Sequence, residues 1–374
     1  MCERPQDIAP THGFLDKSVA AMLSNDWNTS QPTDSFPKAR HMAHPKVSVI
    51  VPCRNEAQFI SACLDSILEN DYPQKFLEIL VIDGMSEDTT RSIVSTYDRA
   101  HSCIRILDNP KHHVTAAVNV GIKAAKGDII MIMGGAHATY APNYIANCVS
   151  SLQTYNAENV GGVIVPTPAD ETLVAKSIAL SLSHPFGAGN SHFRIGSKRP
   201  RWVDTVFGGC YRKELFEKLG LWNEDLSRGS DMDFHIRLKR AGGRTLLMPN
   251  IVAHYYPKAT LAAFAEHNFD DGFWAFYPLK FGKKIFSWRH MIPLAFIVSL
   301  IVSGLLAPFS QPFQELFVGI GGAYVIANLA ASLHVALREQ CWSYLAVLPI
   351  TFAIRHLAYG TGALASLPVV LAGR

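Results

Sequence analysis

Charge is scarce at one end of this sequence. Residues 291–374 carry five charged side chains in 84 positions (Glu315, Arg338, Glu339, Arg355 and Arg374), so 60 of the 65 charged residues precede them. A single water-soluble domain does not spread its charge that way, and the shortage points to a soluble part joined to a lipid-facing tail. An excess of either sign is also lacking: 34 basic against 31 acidic residues give a net charge of +3, too little for a nucleic-acid binder. The seven cysteines (Cys2, Cys53, Cys63, Cys103, Cys148, Cys210 and Cys341) include no Cys-x-x-Cys pair. That excludes a disulfide framework and a zinc site and fits a reducing compartment. No repeat or low-complexity tract is present. A Gly-x-x-x-x-Gly-Lys-Ser/Thr run is missing, and Gly187-x-Gly189 is followed by His192 where a dinucleotide fingerprint needs a third glycine. Residues 1–45 hold acids, prolines and histidines instead of an apolar core of secretory length, so a leader or loosely held arm is expected there. Its Asn28-Thr29-Ser30 sequon reads as a chance match.

What is there begins at Val47. Residues 47–51 form a β-branched run closed by Pro52, and Ile60, Leu64, Ile67 and Leu68 then recur at helical spacing. The alternation continues with strands expected at 77–82, 104–107 and 128–133 and helices at 87–97 and 114–125. Strands separated by such helices imply parallel βαβ units, a sheet covered on both faces, and a ligand site at the C-terminal strand ends. Further strands are expected at 160–165, 202–210 and 244–248, helices at 173–182 and 231–241, and an active-site loop at 184–201. Residues 291–314 and 316–337 are uncharged runs long enough to span a bilayer core, which takes about 20 residues. Residues 341–371 are apolar but interrupted by Arg355-His356, Gly360 and Gly362, and read as a broken third span or re-entrant segment. Lys280, Lys283, Lys284 and Arg289 precede the first span, Glu315 lies between the spans and Arg338 follows the second. This bias predicts a multi-pass protein of the cytoplasmic membrane with its soluble domain in the cytoplasm.

The polar residues at the expected strand ends are the candidates for chemistry. Strand one runs into Pro52-Cys53-Arg54-Asn55-Glu56 and strand two into Asp83-Gly84-Met85-Ser86-Glu87-Asp88. A carboxylate there accepts hydrogen bonds from a base or a ribose, and the glycine lets backbone approach a ligand. The same residues suit helix capping, with Asn55 and Ser86 as N-caps and Glu56, Glu87 and Asp88 in first turns. On pattern alone both readings stand.

Residues 47–60 (VSVIVPCRNEAQFI), 79–89 (ILVIDGMSEDT) and 114–128 (VTAAVNVGIKAAKGD) together resemble the family 2 glycosyltransferases, and most nearly the membrane-associated succinoglycan type. The likeness continues through 184–196 (HPFGAGNSHFRIG), 203–220 (VDTVFGGCYRKELFEKLG) and 229–243 (GSDMDFHIRLKRAGG) into the apolar tail. It implies an α/β GT-A fold, a mostly parallel sheet with helices on both faces, plus C-terminal transmembrane helices. The expected organisation is an arm at 1–45, a catalytic domain at 46–260, an amphipathic connector at 261–290 and a membrane domain of two to three spans at 291–374. The resemblance places a nucleotide-sugar, probed by Pro52, Asn55, Glu56, Asp83, Asn119 and Lys123, in the donor site. It makes Asp231 the general base that takes the acceptor hydroxyl's proton in an inverting displacement. Asp231 also suits the first turn of the following helix, and Asp233 suits it better.

Two motifs of the family are altered. Where it carries Asp-x-Asp, or Asp-x-His in the succinoglycan-like branch, this chain has Gly135-Ala136-His137. With the carboxylate gone, His137 and His254 are the metal candidates, and two imidazoles suit Mn2+ better than Mg2+. Each also suits a neutral strand-end histidine. Lys198, Arg199, Arg201 and Arg194 offer cations for leaving-group charge, and Asp233, Arg194, Arg201 and Trp274 are placed on the acceptor or leaving-group side. The Gln-x-x-Arg-Trp motif of processive members is replaced by residues 266–274 (EHNFDDGFW), so single-sugar transfer is expected. The acceptor implied is a lipid-linked saccharide or polysaccharide at the membrane, with other polysaccharide-assembly proteins as partners and no nucleic acid. The competing expectation is a non-catalytic relative that binds nucleotide-sugar or scaffolds an assembly complex; two or three spans offer little pathway for a transporter.

Overall fold

The computed structural model describes residues 44–281 and 288–372. Nearly all of the expected arm, with its sequon and Cys2, lies outside the described residues, as do Lys283 and Lys284. No disulfide joins the described cysteines.

The first half alternates as its sequence periods dictate. It runs β1 (Val47–Cys53), α1 (Ile60–Leu68), β2 (Leu77–Asp83), α2 (Thr90–Ala100), β3 (Ile104–Asp108), α3 (Val114–Ala124) and β4 (Ile129–Ile132). The four strands are parallel in the order β3-β2-β1-β4. Both faces of β1 are used, as its unbroken apolar run requires. Val47, Val49 and Val51 pack with Ile60, Leu64 and Ile67 of α1, while Ile50 packs with Leu80, Ile82 and Val118 under α3. Each such side chain, fully buried, contributes about 1.5–3 kcal/mol. The strands are therefore firm supports for the loops at their C-terminal ends.

The second half turns the sheet mixed. It contains β5 (Ala138–Tyr140), α4 (Tyr144–Thr154), β6 (Asn159–Pro166), α5 (Leu173–Ser183), the short turns α6 (Pro185–Ala188) and α7 (His192–Ile195), β7 (Arg201–Val203), β8 (Phe207–Arg212), α8 (Glu214–Leu219), α9 (Ser230–Arg240) and β9 (Thr245–Tyr255). The order continues β4-β8-β6-β9-β5, with β7 also on β9. Strand β8 runs antiparallel to β4 and β6, and β5 and β7 run antiparallel to β9. Parallel pairing thus holds for β1 to β4 and again for β6 with β9, while β5, β7 and β8 enter antiparallel and make the sheet mixed. The single strand expected at 202–210 is two strands with different neighbours, and the loop expected at 184–201 contains α6 and α7.

The tail consists of α10 (Leu261–Phe276), α11 (Met291–Leu306), α12 (Gln311–Arg338) and α13 (Leu348–Ala372). Residues 288–306 and 311–338 form two helices long and apolar enough to cross a membrane, and few of their side chains are buried in the protein. Leu305, Phe309, Val318 and Ile326 lie more than 60% exposed, an outlay of apolar surface that suits lipid and not water. Glu315 sits inside α12, four residues from Gln311 whose amide donates to it at 2.9 Å, and so does not lie between the spans.

Helix α13 corrects the expectation of a broken segment. It runs unbroken through Arg355, His356, Gly360 and Gly362. The glycines are contact points: a Cβ on Gly362 would strike Phe269 O of α10, and one on Gly272 would strike Tyr359 O of α13. On the far side, a Cβ on Gly360 would come 2.5 Å from Pro293 O of α11. Arg355 Nε donates to Gly187 O at 3.0 Å, its Nη1 donates to Asn268 Oδ1, and the His356 ring meets Phe186 O at 2.8 Å. Arg355 and His356 therefore bond α13 to the turn at Phe186 and Gly187 and to α10.

Candidate active site

The loops after β1 and β2 are zipped together by their own polar groups. Asn55 adopts a left-handed conformation (φ 54°); its N–H donates to Ser86 Oγ at 3.0 Å and its Oδ1 accepts from Glu87 N at 2.9 Å. Glu56 N donates to Thr90 Oγ1 at 2.8 Å and Ala57 N to Asp88 Oδ2 at 3.2 Å. None of these side chains caps a helix as expected: α1 and α2 begin after Phe59 and Thr89, which make no side-chain cap, and the polar groups are used to bind loop to loop. Asp83 is fully buried at the end of β2. Its carboxylate accepts from Ser86 Oγ at 2.5 Å and from Arg91 Nη1 at 3.0 Å, and Arg91 also reaches Asp108 at 2.7 Å.

One bond ties this pair of loops to β4. Glu56 Oε1 lies 3.0 Å from His137 Nδ1, and the His137 ring packs edge-on against Tyr255 at 5.3 Å. Gly135, two residues before, has φ 123°, and a Cβ there would lie 2.9 Å from His137 Cε1. A carboxylate-bearing residue cannot enter this backbone without strain, and the imidazole fills the space it would need.

Asp231 stands at the start of α9, which is entered through Gly229 at φ 74°. Its neighbours are fixed from below. Thr115 Oγ1 lies 3.0 Å from Ser230 Oγ and donates to Leu226 O at 2.7 Å. The buried His235 ring lies 2.7 Å from Tyr211 OH and 3.0 Å from Asn159 Nδ2 at Nε2, and 3.0 Å from Thr205 Oγ1 at Nδ1. Burial pulls this imidazole down to about 4, so it is neutral. Burial also pushes the Asp231 carboxyl up; backbone N–H groups at Met232 and Asp231 oppose the rise and the charge of Asp271 adds to it. Asp231 is half-buried by surface area.

Asp271 belongs to α10, a helix expected only as an interfacial connector. Arg228, just before α9, holds the two adjacent aspartates of α10: Nη1 lies 2.8 Å from Asp271 Oδ1 and Nη2 lies 3.1 Å from Asp270 Oδ2. His267 Nε2 lies 3.5 Å from Asp271 Oδ2, and burial brings that ring down to about 4. Neither Arg228 nor the acids of α10 were singled out as site residues from the sequence. The signal was there, two adjacent acids in a helix otherwise rich in aromatics.

The glycosyl transferase family 2 model matches residues 48–220. A dolichyl N-acetyl-alpha-D-glucosaminyl phosphate 3-beta-D-2,3-diacetamido-2,3-dideoxy-beta-D-glucuronosyltransferase of Methanococcus voltae is 29% identical over 327 residues, 84% of this chain and 95% of its own. The succinoglycan biosynthesis protein ExoA of Rhizobium meliloti is 27% identical over 323 residues, 84% of this chain and 92% of its own. Residues 48–220 are a family 2 glycosyltransferase domain. The fold is GT-A: a mannosyltransferase from Pyrobaculum calidifontis, solved with GDP-Man and Mn2+, superposes with TM-score 0.58 and 22% identity over 93% of both chains.

Within this family 2 domain the expected residues separate into those brought together and those not. Asn55, Glu56, Asp83 and His137 meet at one edge of the sheet, while Pro52 is buried within β1 opposite Ile82. Asn119 is buried and turned to the loop before α9: it donates to Trp222 O and Glu224 Oε1 at 2.9 Å and accepts from Trp222 N at 3.0 Å. Lys123 is exposed on the last turn of α3, at the N-terminal edge of the strands, away from Asn55, Glu56 and Asp83. The position follows from α3 running back down the sheet after its N-terminus leaves the site. His254 lies beside Thr167, its Nδ1 3.3 Å from Oγ1. No three His, Cys, Asp or Glu side chains converge for a metal among the described residues. Asp233 is buried and bound by Arg237 at 3.0 Å, and Arg237 in turn donates to Leu221 O at 2.8 Å, so Asp233 is a support of α9. Arg201 is exposed with its guanidinium 3.2 Å from His192, and Trp274 packs edge-on with Tyr277 at 4.9 Å, one turn past Asp271.

Proposed function

We propose that this chain is an inverting glycosyltransferase that moves a sugar from a UDP-linked donor to a lipid-linked or polysaccharide acceptor at the cytoplasmic membrane face, in exopolysaccharide biosynthesis. The observation that carries this is Asp231: a half-buried carboxylate with raised proton affinity, on a helix start fixed by Thr115 and His235, beside an α10 helix tied to the apolar tail. A base of that kind is suited to take a proton from a hydroxyl. The acceptor oxygen attacks the anomeric carbon, its proton passes to Asp231, and the bond from that carbon to the diphosphate oxygen breaks.

The donor nucleotide is read onto the edge formed by Asn55, Glu56 and Asp83. The donor set fits a divalent metal only in part. His137 presents Nε2 while Glu56 accepts at Nδ1, the carboxylate–histidine arrangement that orients a metal-bound imidazole. His137 would hold the ion with the diphosphate, and the ion, when bound, offsets leaving-group charge. Glu56 sets the ring's tautomer and direction.

The test is release of UDP from UDP-sugars by the purified full-length chain, with lipid-linked acceptor and with and without Mn2+. Acceptor-dependent release that disappears in Asp231→Asn supports the reading. Nucleotide binding without any turnover across the sugar set would favour a non-catalytic scaffold.

A further inference from the structure

Beyond Asp231, the face where the catalytic domain meets the tail holds a pocket lined by Arg194, Tyr255, Lys258, Phe264, His267 and Arg355. Three of these are permanent cations. Among the described residues none of the three forms an ion pair with a carboxylate; Asp271, whose charge acts on Arg355, is taken by Arg228 at 2.8 Å. Arg194 Nη1 is buried with no hydrogen-bond partner. Such a donor is unusual in a folded protein, and two guanidiniums sharing one pocket repel each other, so the arrangement is costly unless an anion enters. Arg355 is held in place for that role, with Nε on Gly187 O and Nη1 on Asn268 Oδ1. Burial brings His267 down to about 4, so near neutral pH it adds a ring without adding charge.

We infer that this pocket and its rim seat one phosphate group of a lipid-borne acceptor. The oxygens of a phosphate match guanidinium donors in geometry and charge. The walls assign the group to the acceptor. Arg355, Phe264 and His267 come from α13 and α10, and α13 packs through Gly360 onto α11, one of the two helices able to span a bilayer. Tyr255 separates this pocket from the donor side, its ring lying against His137. Lys258 is exposed at the rim, where an incoming headgroup meets it first. The inference rests on the acceptor being lipid-linked, as proposed above.

Farnesyl diphosphate is the probe, with farnesol as the control lacking phosphate and UDP as the donor arm, each titrated into the full-length protein in detergent micelles. The wild type is expected to bind farnesyl diphosphate more tightly than farnesol. Arg194→Gln weakens that binding about tenfold, Lys258→Gln weakens it less, and UDP affinity stays unchanged in both. Lys258 is exposed, so its variant keeps the test open if the Arg194 variant does not fold. Equal binding of farnesol and farnesyl diphosphate, or unchanged affinity in both variants, overturns the seat. A matching loss of UDP affinity assigns the anion to the donor and overturns the acceptor reading. Turnover of UDP-sugars by the wild type is scored separately, so the transferase reading and the phosphate seat fail on different measurements.

Discussion

Glu56 Oε1 and His137 Nδ1 lie 3.0 Å apart, joining the loop after β1 to the loop after β4. A residue of the proposed nucleotide edge thereby aims the imidazole that stands two residues after Gly135. His137→Ala is expected to weaken Mn2+-dependent UDP binding by about 10–100-fold while leaving metal-free binding unchanged, as read by calorimetry. Restoring an acid by Gly135→Asp gains no Mn2+ affinity, because φ 123° and a Cβ 2.9 Å from His137 Cε1 exclude a relaxed aspartate.

Removing the base separates binding from chemistry. Asp231→Asn is expected to lower kcat by about 10²–10⁴-fold, the range general-base removal gives, with UDP affinity unchanged. Equal turnover in the variant would take Asp231 out of the base role.

The acid limb of kcat/KM follows from the direction of the Asp231 shift. Burial and Asp271 raise its proton affinity above the ordinary 3.8. Deprotonated base, and with it activity, is therefore lost as pH falls through a value higher than that of a free aspartate. Asp271→Asn removes one negative charge and frees Arg228, both of which favour the carboxylate, so the limb moves to lower pH. A limb that stays in place in pH–rate profiles counts against the coupling.

Lys123→Ala is expected to leave the KM for the nucleotide-sugar unchanged, since Lys123 is exposed at the opposite edge of the sheet. A severalfold rise in that KM would contradict the placement.

Gly272→Val puts a side chain into Tyr359 O across the α10–α13 contact. A loss of about 1–3 kcal/mol is expected for such overpacking, measured as earlier thermal unfolding in detergent.

The sequence showed β1 to β4, the loops at their ends and the start of α9, because those depend on local period and turn chemistry. It missed what depends on distant partners. Asn119 reads as a pocket residue in its motif, yet its amide is spent on Trp222 and Glu224, more than 100 positions away. Arg355-His356 reads as a break in an apolar run until Gly187, Asn268 and Phe186 supply its partners. The strand at 202–210 reads as one because pairing, not composition, divides it between β9 and β4.

The close crossing of α10 and α13 works as a ruler. With backbone against backbone at Gly272 and Gly362 there is no slack between the helix bearing Asp271 and the tail. If α11 and α12 fix the tail in lipid, the elevation of Asp231 above the bilayer is fixed with them, and only a hydroxyl carried at that elevation comes within its reach. Acceptor choice would then rest on how far a sugar stands from its lipid as much as on which sugar it is.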